Sequence, residues 1–377
     1  MEFPLGLFER MRARAEEGTL RALKIDEGLT DFYSNDYLGL ASDDEIDRKA
    51  QRLLSNLPRV NGSTGSRLIS GNSRAHEDLE VELAEFFGSD AALLFNSGYD
   101  ANIGLLSALL QRGDSIFFDR LAHASIRDGI SMTKAKSFGF AHNDLEDLDS
   151  KVRRGRSASG QNYVIVESVY SMDGDEAPLK ELADYCSHQG LYLIVDEAHS
   201  TGVFGPQGAG LTVSLDLQDQ VFARVHTFGK AMGCHGAAVL GSPALRNYLV
   251  NFARSFIYTT ALPPGEVFRI SAALHALRPP QRRKKLKDNI ELFRQLSEEM
   301  GLQEHFLKSR SPIQSFLLED RVPAGKLSEA LLREKLGSKV IQAPTVPAGS
   351  ERLRICIHSF NTPEEIRILL QLLSTFV

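Results

Sequence analysis

Between residues 90 and 245 short apolar runs alternate with amphipathic stretches, and that alternation leaves few folds open. "AALLF" (91–95), "SIFFD" (115–119), "NYVIVES" (162–168), "LYLIVD" (191–196) and "AAVLG" (237–241) read as strands. "LYLIVD" is apolar up to its last residue, as strands are when helices cover both faces of a parallel sheet. Between the strands the period changes. "HEDLEVELAEFFG" places Leu79, Leu83, Phe86 and Phe87 on one helical face, with Gly88 as the stop. "YDANIGLLSALLQRG" aligns Ile103, Leu106 and Leu110 ahead of Gly113. "PLKELADYCSHQG" begins at Pro178 and turns Leu179, Leu182, Ala183 and Cys186 inward. The order predicts an α/β fold with one large, mostly parallel sheet. The chain divides into an N-terminal arm (1–48), a large domain (49–280) and a smaller C-terminal α+β domain (281–377), in which "ERLRICIH" is a strand.

The strand ending at Asp196 opens into Asp196-Glu197-Ala198-His199, the DEAH letters that helicases use to hold magnesium and ATP. Such an ATPase also needs G-x-x-x-x-G-K-[ST]. The two Gly-Lys steps, Gly229-Lys230 and Gly325-Lys326, are followed by Ala and Leu, and neither has a glycine five residues earlier. A net charge of −6 gives no basic footprint for nucleic acid, and the basic run "QRRKKLK" (281–287) reads as a solvated helix face. There is no HExxH and no cysteine–histidine spacing of the zinc type, so no metal site is expected. Cys186, Cys234 and Cys356 lie far apart and read as small buried hydrophobes of a reducing compartment. No apolar stretch reaches the roughly 18 residues of a membrane span, and the first residues lack the pattern of a signal peptide. A soluble, cytoplasmic protein is expected.

An aspartate at the carboxyl end of a buried strand points into the crevice where open α/β sheets bind ligands. Capping the next turn would be its ordinary duty, and its neighbours argue for more. "HTFGKAMG" sets Lys230 between glycines, where a partly desolvated lysine can form a Schiff base with an aldehyde. "FNSGYDAN" sets Ser97-Gly98-Tyr99 between a strand and a helix, where free amides and the positive helix end can hold a phosphate. An aldehyde, a phosphate and an aromatic nitrogen that needs a carboxylate together describe pyridoxal 5′-phosphate.

Eleven motifs in order, among them "SNDYLGLA", "GSTGSR", "DRLAHASI", "AHND", "ESVYSMDGDEAPL", "VDEAHSTGVFG", "TFGKAMG", "FIYTTALPP" and "RLRICIH", make the chain resemble the α-oxoamine synthases. These are fold-type-I pyridoxal-phosphate enzymes that condense an amino acid with an acyl thioester and release carbon dioxide. The resemblance implies that Lys230 carries the cofactor, that Asp196 pairs with the pyridine nitrogen, and that His199 and Ser171 lie by the phenolic oxygen. It implies that His123 stacks on the ring and that Gly98, Tyr99 and Thr227 hold the phosphate, with Thr259 or Thr260 reaching over from a second subunit of a homodimer. Arg354 would clamp the amino-acid carboxylate, Asn35 and Thr345 would line the substrate site, and Arg21 would meet the acyl substrate. Within the group, "GAAVLGS" and "APTVPAG" (343–349) resemble one member in particular, and that resemblance implies L-alanine and a pimeloyl thioester, on coenzyme A or acyl carrier protein, as substrates. Sister enzymes taking glycine or serine, an aminotransferase, or a non-catalytic relative are the alternatives. Cys234 and His235 read as packing residues. Arg21 lies only 14 positions before Asn35, so the arm is shorter than the ribbon the group carries there.

Overall fold

The computed structural model describes residues 3–17, 19–23, 25, 27–56, 61–318, 324–342, 346 and 349–377. Its strands, in chain order, are β1 (Thr30–Asp31), β2 (Ala91–Phe95), β3 (Ser115–Asp119), β4 (Lys136–Phe140), β5 (Asn162–Glu167), β6 (Tyr192–Asp196), β7 (Ala223–Thr227), β8 (Ala237–Gly241), β9 (Ile313–Leu317), β10 (Leu336–Gly337), β11 (Lys339–Ile341) and β12 (Arg352–Cys356). β2 to β8 make one sheet in the order β2-β8-β7-β6-β5-β3-β4. β8 is antiparallel to both neighbours, and every other adjacent pair in the sheet is parallel.

The predicted strands are all present. β4 and β7 are not legible as apolar runs, each for a physical reason. β4 is an edge strand whose first residues are exposed, so it needs few apolar side chains. β7 is wholly buried yet carries Arg224 and His226. Arg224 donates to the Gly88 carbonyl at 2.9 Å; His226 meets Thr201 Oγ1 at 2.9 Å and packs against Phe87, ring centroids 4.0 Å apart. Partners of this kind offset the cost of burying polar groups.

Helices Gly98–Leu109, Ala124–Ser131 and Pro243–Phe252 cover one face of the sheet, with Leu105, Leu106, Ile126 and Leu249 in its core. Helices Leu145–Gly155 and Leu179–Gln189 cover the other through Leu148, Val152, Leu182 and Cys186. The second of these behaves as its period predicts: Leu179, Leu182, Ala183 and Cys186 are buried, and Gly190 ends it at φ 61°. Each leucine so buried stabilises by about 2 kcal/mol. Gly98–Leu109 departs from its predicted stripe. It is packed between the sheet and neighbouring helices, so Ala101, Asn102, Leu105 and Leu109 are buried as well, while Ile103 is only half-buried. In helix Arg74–Phe86, Leu79 and Leu83 are buried as expected and Phe86 is not fully so.

β9, β11 and β12 form an antiparallel sheet in the order β11-β12-β9. β1 pairs in parallel with β10, which joins the end of the arm to the C-terminal region. Phe32, Tyr37 and Leu38 share one apolar cluster with Leu286, Phe316 and Leu353, so the arm, the large sheet and the C-terminal region meet in a common core. The large sheet lies within 49–280 and the three-stranded one within 281–377, while helix Asp44–Leu54 runs across position 48. Helix Leu5–Glu16 of the arm buries no side chain.

"AHND" forms a clamp between the end of β3 and the loop that carries Asp175. His142 Nδ1 lies 3.1 Å from both carboxylate oxygens of Asp119, at the end of β3, and its Nε2 lies 2.8 Å from Asp175 Oδ2. Partial burial disfavours the charged ring, but the hydrogen bonds to Asp119 and Asp175 outweigh it and lift the imidazole to about 10. A histidine raised in the folded state stabilises fully below its ordinary value near 6.5, and that contribution fades as pH rises through the folded one. His142→Gln is therefore expected to cost about 3 kcal/mol at neutral pH. In urea unfolding the gap to the parent protein should narrow as pH rises through about 10; a gap independent of pH would contradict the clamp.

Candidate active site

Three parallel strands deliver their carboxyl ends to one place: β5 ends at Glu167, β6 at Asp196 and β7 at Thr227. Beyond them lies a cleft of about 250 Å³. Its wall includes Asn35, Gly98, Tyr99, His123, Asp196, His199, Thr227 and Lys230, so eight of the predicted residues are brought together.

Ser97 caps the helix that starts at Gly98 by accepting the Asp100 amide at 3.1 Å, which leaves the first amides of the helix without intrahelical partners. Gly98 must be glycine here, because a Cβ would stand 2.4 Å from Thr227 Cγ2. The close approach is to the Thr227 methyl, and it sets Thr227 and the start of the helix side by side on the cleft wall. Together they form an anion cradle at the positive end of a helix.

Asp196 is 4 % exposed and receives two hydrogen bonds. Asn102 Nδ2 donates to one oxygen at 2.7 Å and the Ala198 amide to the other at 2.9 Å. Asn102 also donates to Ser125 Oγ at 3.0 Å, which in turn lies 2.8 Å from His123 Nδ1. A short chain of contacts therefore runs from the carboxylate to the histidine at the start of helix Ala124–Ser131. Desolvation in the cleft lowers the His123 pKa; Asp196 opposes the change and Lys230 adds to it. The Lys230 amine makes no hydrogen bond or salt bridge among the described residues. Burial lowers its pKa, against the pull of Asp196 and Glu167.

On the opposite side Tyr37, fully buried, lies 2.8 Å from His199 Nδ1 and donates to Asn35 Oδ1 at 3.1 Å. Burial holds His199 well below its ordinary pKa, so its ring is neutral. Arg354 stands behind Asn35. Its Nη2 donates to Asn35 Oδ1 at 3.0 Å, its Nε to the Ser171 carbonyl at 2.7 Å, and its Nη1 to Cys356 Sγ at 2.9 Å. Three of the five guanidinium N–H groups are thereby used, leaving one on each terminal nitrogen. Tyr37→Phe should leave the fold intact and lower turnover about tenfold to a hundredfold, because it frees both His199 and Asn35 to reorient. An unchanged rate would mean that Tyr37 only fills space.

Other predicted residues lie elsewhere. Thr259 Oγ1 and the Thr260 carbonyl accept from Asn96 Nδ2 at 3.0 and 2.8 Å, and neither threonine lines the cleft. Arg21 is exposed on the arm, without a hydrogen bond or ion pair among the described residues. Thr345 lies outside the described residues. Cys234 packs against the core as expected, but His235 is a correction: it is exposed, its amide donates to Glu266 at 2.8 Å, and it lies on the cleft wall. The chain turns there through Gly233 and Gly236, both at positive φ, and that turn carries the imidazole out of the core. Tyr37, Asn102 and Glu167 belong to the site although the motifs assign them nothing. The one signal for Asn102 was an amide within an otherwise apolar helix.

The aminotransferase class I and II family model matches residues 27–373. The chain belongs to that family. Among its relatives, the 8-amino-7-oxononanoate synthase of Marinobacter nauticus is 41% identical over 368 residues, spanning 97% of this chain and 91% of that protein. That of Emericella nidulans is 39% identical over 399 residues, spanning 98% and 95%. With these relatives, the chain falls among the α-oxoamine synthases of the family. Among solved structures, a serine palmitoyltransferase with its PLP internal aldimine superposes with a TM-score of 0.89 at 29% identity, covering 98% of this chain and 96% of that one. The 8-amino-7-oxononanoate synthase from Francisella tularensis superposes at 0.79 with 32% identity, covering 93% and 98%. The fold is that of the type I pyridoxal-phosphate transferases.

The residues present fit that cofactor. A lysine amine without a partner, a carboxylate held by two donors and an anion cradle occupy one cleft. Two buried oxygens of its wall, Asn102 Oδ1 and Glu167 Oε1, have no hydrogen-bond partner among the described residues. A polar, ring-shaped occupant would meet a site built for it.

Proposed function

We propose that the protein acts as an 8-amino-7-oxononanoate synthase: it condenses L-alanine with a pimeloyl thioester and releases carbon dioxide and the free thiol. The observation that carries this reading is identity of 41% sustained over 97% of the chain with a synthase of that name, together with a complete lysine–aspartate–histidine cleft. Bound pyridoxal 5′-phosphate supplies an electron sink for the charge that develops at the amino-acid Cα.

The side chains divide the rest of the work. The Gly98 and Tyr99 amides with Thr227 hold the phosphate. Asp196 would keep the ring nitrogen protonated; opposite charges about 4 Å apart at an effective dielectric near 20 attract by about 4 kcal/mol. Lys230 would hold the cofactor and serve as the base for the Cα proton, and its lowered pKa would keep a neutral amine available for that role. Arg354 offers its two remaining N–H groups to the substrate carboxylate, with Asn35 fixing the plane of the guanidinium. His123, on the cleft wall, would pack against the cofactor and donate a hydrogen bond to the acyl carbonyl. His199, neutral and held by Tyr37, would with Ser171 serve the phenolic oxygen of the cofactor.

A homodimer completes the site in this reading. Thr259 and Thr260 turn away from their own cleft, and the exposed helix Leu5–Glu16 leaves its apolar side chains uncovered, as expected of segments that serve a second subunit. The pimeloyl chain enters past Arg21. No helix among the described residues is long and apolar enough to cross a membrane, and a cytoplasmic location is part of this proposal.

A second reading uses serine, and the greater TM-score of the serine palmitoyltransferase favours it. Incubation with pimeloyl-coenzyme A and alanine, glycine or serine in turn separates the two. Mass spectrometry should find the decarboxylated alanine product as the major species. Preferential consumption of serine or glycine would overturn the alanine assignment and leave the family untouched.

A further inference from the structure

Glu167 ends β5 as Asp196 ends β6, and the two are register partners in a parallel pair. Partners in a parallel ladder project to the same face from strands about 4.8 Å apart. Two carboxyl groups therefore stand side by side on the cleft wall, and like charges so placed do not both ionise readily. Their surroundings decide which one keeps a proton. Asp196 has donors on both oxygens, from Asn102 and Ala198. Glu167 is 2 % exposed, and its Oε1 lacks any hydrogen-bond partner. A buried carboxylate with one oxygen left without a donor is costly, whereas a carboxylic acid can carry its proton on that oxygen.

We infer that Glu167 is a further acid of the site, a positioning residue that carries the proton of the Glu167–Asp196 pair, leaves Asp196 as the anion, and sets the basicity of Lys230 by its own ionisation. This rests on the reading of Lys230 as the cofactor lysine. Burial and the charge of Asp196 push Glu167 up to about 8, with Lys230 and the backbone amides of His123 and Ser171 opposing them. The titratable groups that face it are Asp196 from β6, Lys230 from the loop after β7, His123 from the start of its helix and Tyr170 from its own loop. Below about 8 Glu167 is neutral, and above it a second negative charge faces Lys230. That charge favours the protonated form of whatever nitrogen Lys230 presents.

The test is the pH titration of the visible absorption of the holoenzyme, without substrate. Glu167→Gln keeps the shape and a hydrogen-bond donor but cannot ionise. It should lower the apparent pKa of the lysine-bound chromophore by about one pH unit. Glu167→Asp, still an acid, should restore most of the difference, which a structural role would not do. Infrared difference spectra of the unaltered holoenzyme taken below and above pH 8 should show a buried protonated carboxyl disappearing, and this readout needs no variant. A Gln titration superimposable on the parent's, or no carboxyl signal lost on raising the pH, would overturn the inference while the chromophore remains. Absence of any chromophore in the parent holoenzyme would instead sink the reading of Lys230, and this inference with it.

Discussion

Asp196→Asn is expected to lower kcat about a thousandfold while the cofactor stays bound. The change is nearly isosteric and keeps an oxygen for one of the two donors, Asn102 Nδ2 or the Ala198 amide. It removes the charge that, in the proposed mechanism, would hold the proton on the ring nitrogen. Losing about 4 kcal/mol of that pairing corresponds to roughly three powers of ten in rate. Cofactor retention follows from features the substitution leaves alone: the attachment to Lys230 and the cradle of Gly98, Tyr99 and Thr227. The checks are turnover and bound-cofactor absorbance on the same sample. Near-normal turnover would remove Asp196 from the mechanism, and loss of cofactor would make its role one of binding.

Lys230→Ala should abolish the covalent chromophore and lower turnover by about 10⁴-fold or more, since one side chain both carries the cofactor and moves the Cα proton. The two roles separate by chemical rescue. A small primary amine added to the variant should recover part of the proton-transfer rate without restoring the attachment. No rescue at any amine concentration would point to a lysine that only anchors the cofactor. The depression of its pKa by burial makes this site suited to an amine base.

The layer order and the position of the cleft were legible because they rest on patterns that burial enforces. "LYLIVD" is apolar up to Asp196 since both of its faces are covered, and its last residue is polar because the sheet stops there. Gly98 was legible as part of a turn, although its indispensability comes from Thr227, more than a hundred residues away. Local periodicity failed where tertiary partners substitute for apolar character. Arg224 and His226 hide β7 from a hydrophobic scan, and the Gly88 carbonyl, Thr201 and Phe87 that make them tolerable are distant in the chain. Glu167 was hidden for a related reason. Within "ESVYSMDGDEAPL" it reads as the polar end of a strand, and only the register with Asp196 sets two acids side by side. His235, read as packing beside Cys234, shows how two adjacent residues of one turn part company, one facing the core and the other the cleft.

On the proposed function, the cleft divides into an end that would hold the cofactor and an end that would choose the substrate. The first is built from strand termini and a helix start, all within the large sheet. The second depends on Asn35 from the arm and Arg354 from β12, which meet through one hydrogen bond of 3.0 Å. Tyr37 couples the two ends, since its hydroxyl touches both Asn35 and His199. Substrate preference is therefore expected to respond to changes at Asn35 and Tyr37 before cofactor affinity does.

The most direct test of the account is the absorption spectrum of the purified holoenzyme during titration with L-alanine, glycine and L-serine. The account predicts a band near the visible edge that is absent in Lys230→Ala, is perturbed most strongly by L-alanine, and changes again when pimeloyl-coenzyme A is added. A protein that shows no such band even after reconstitution with pyridoxal 5′-phosphate would contradict the account at its centre.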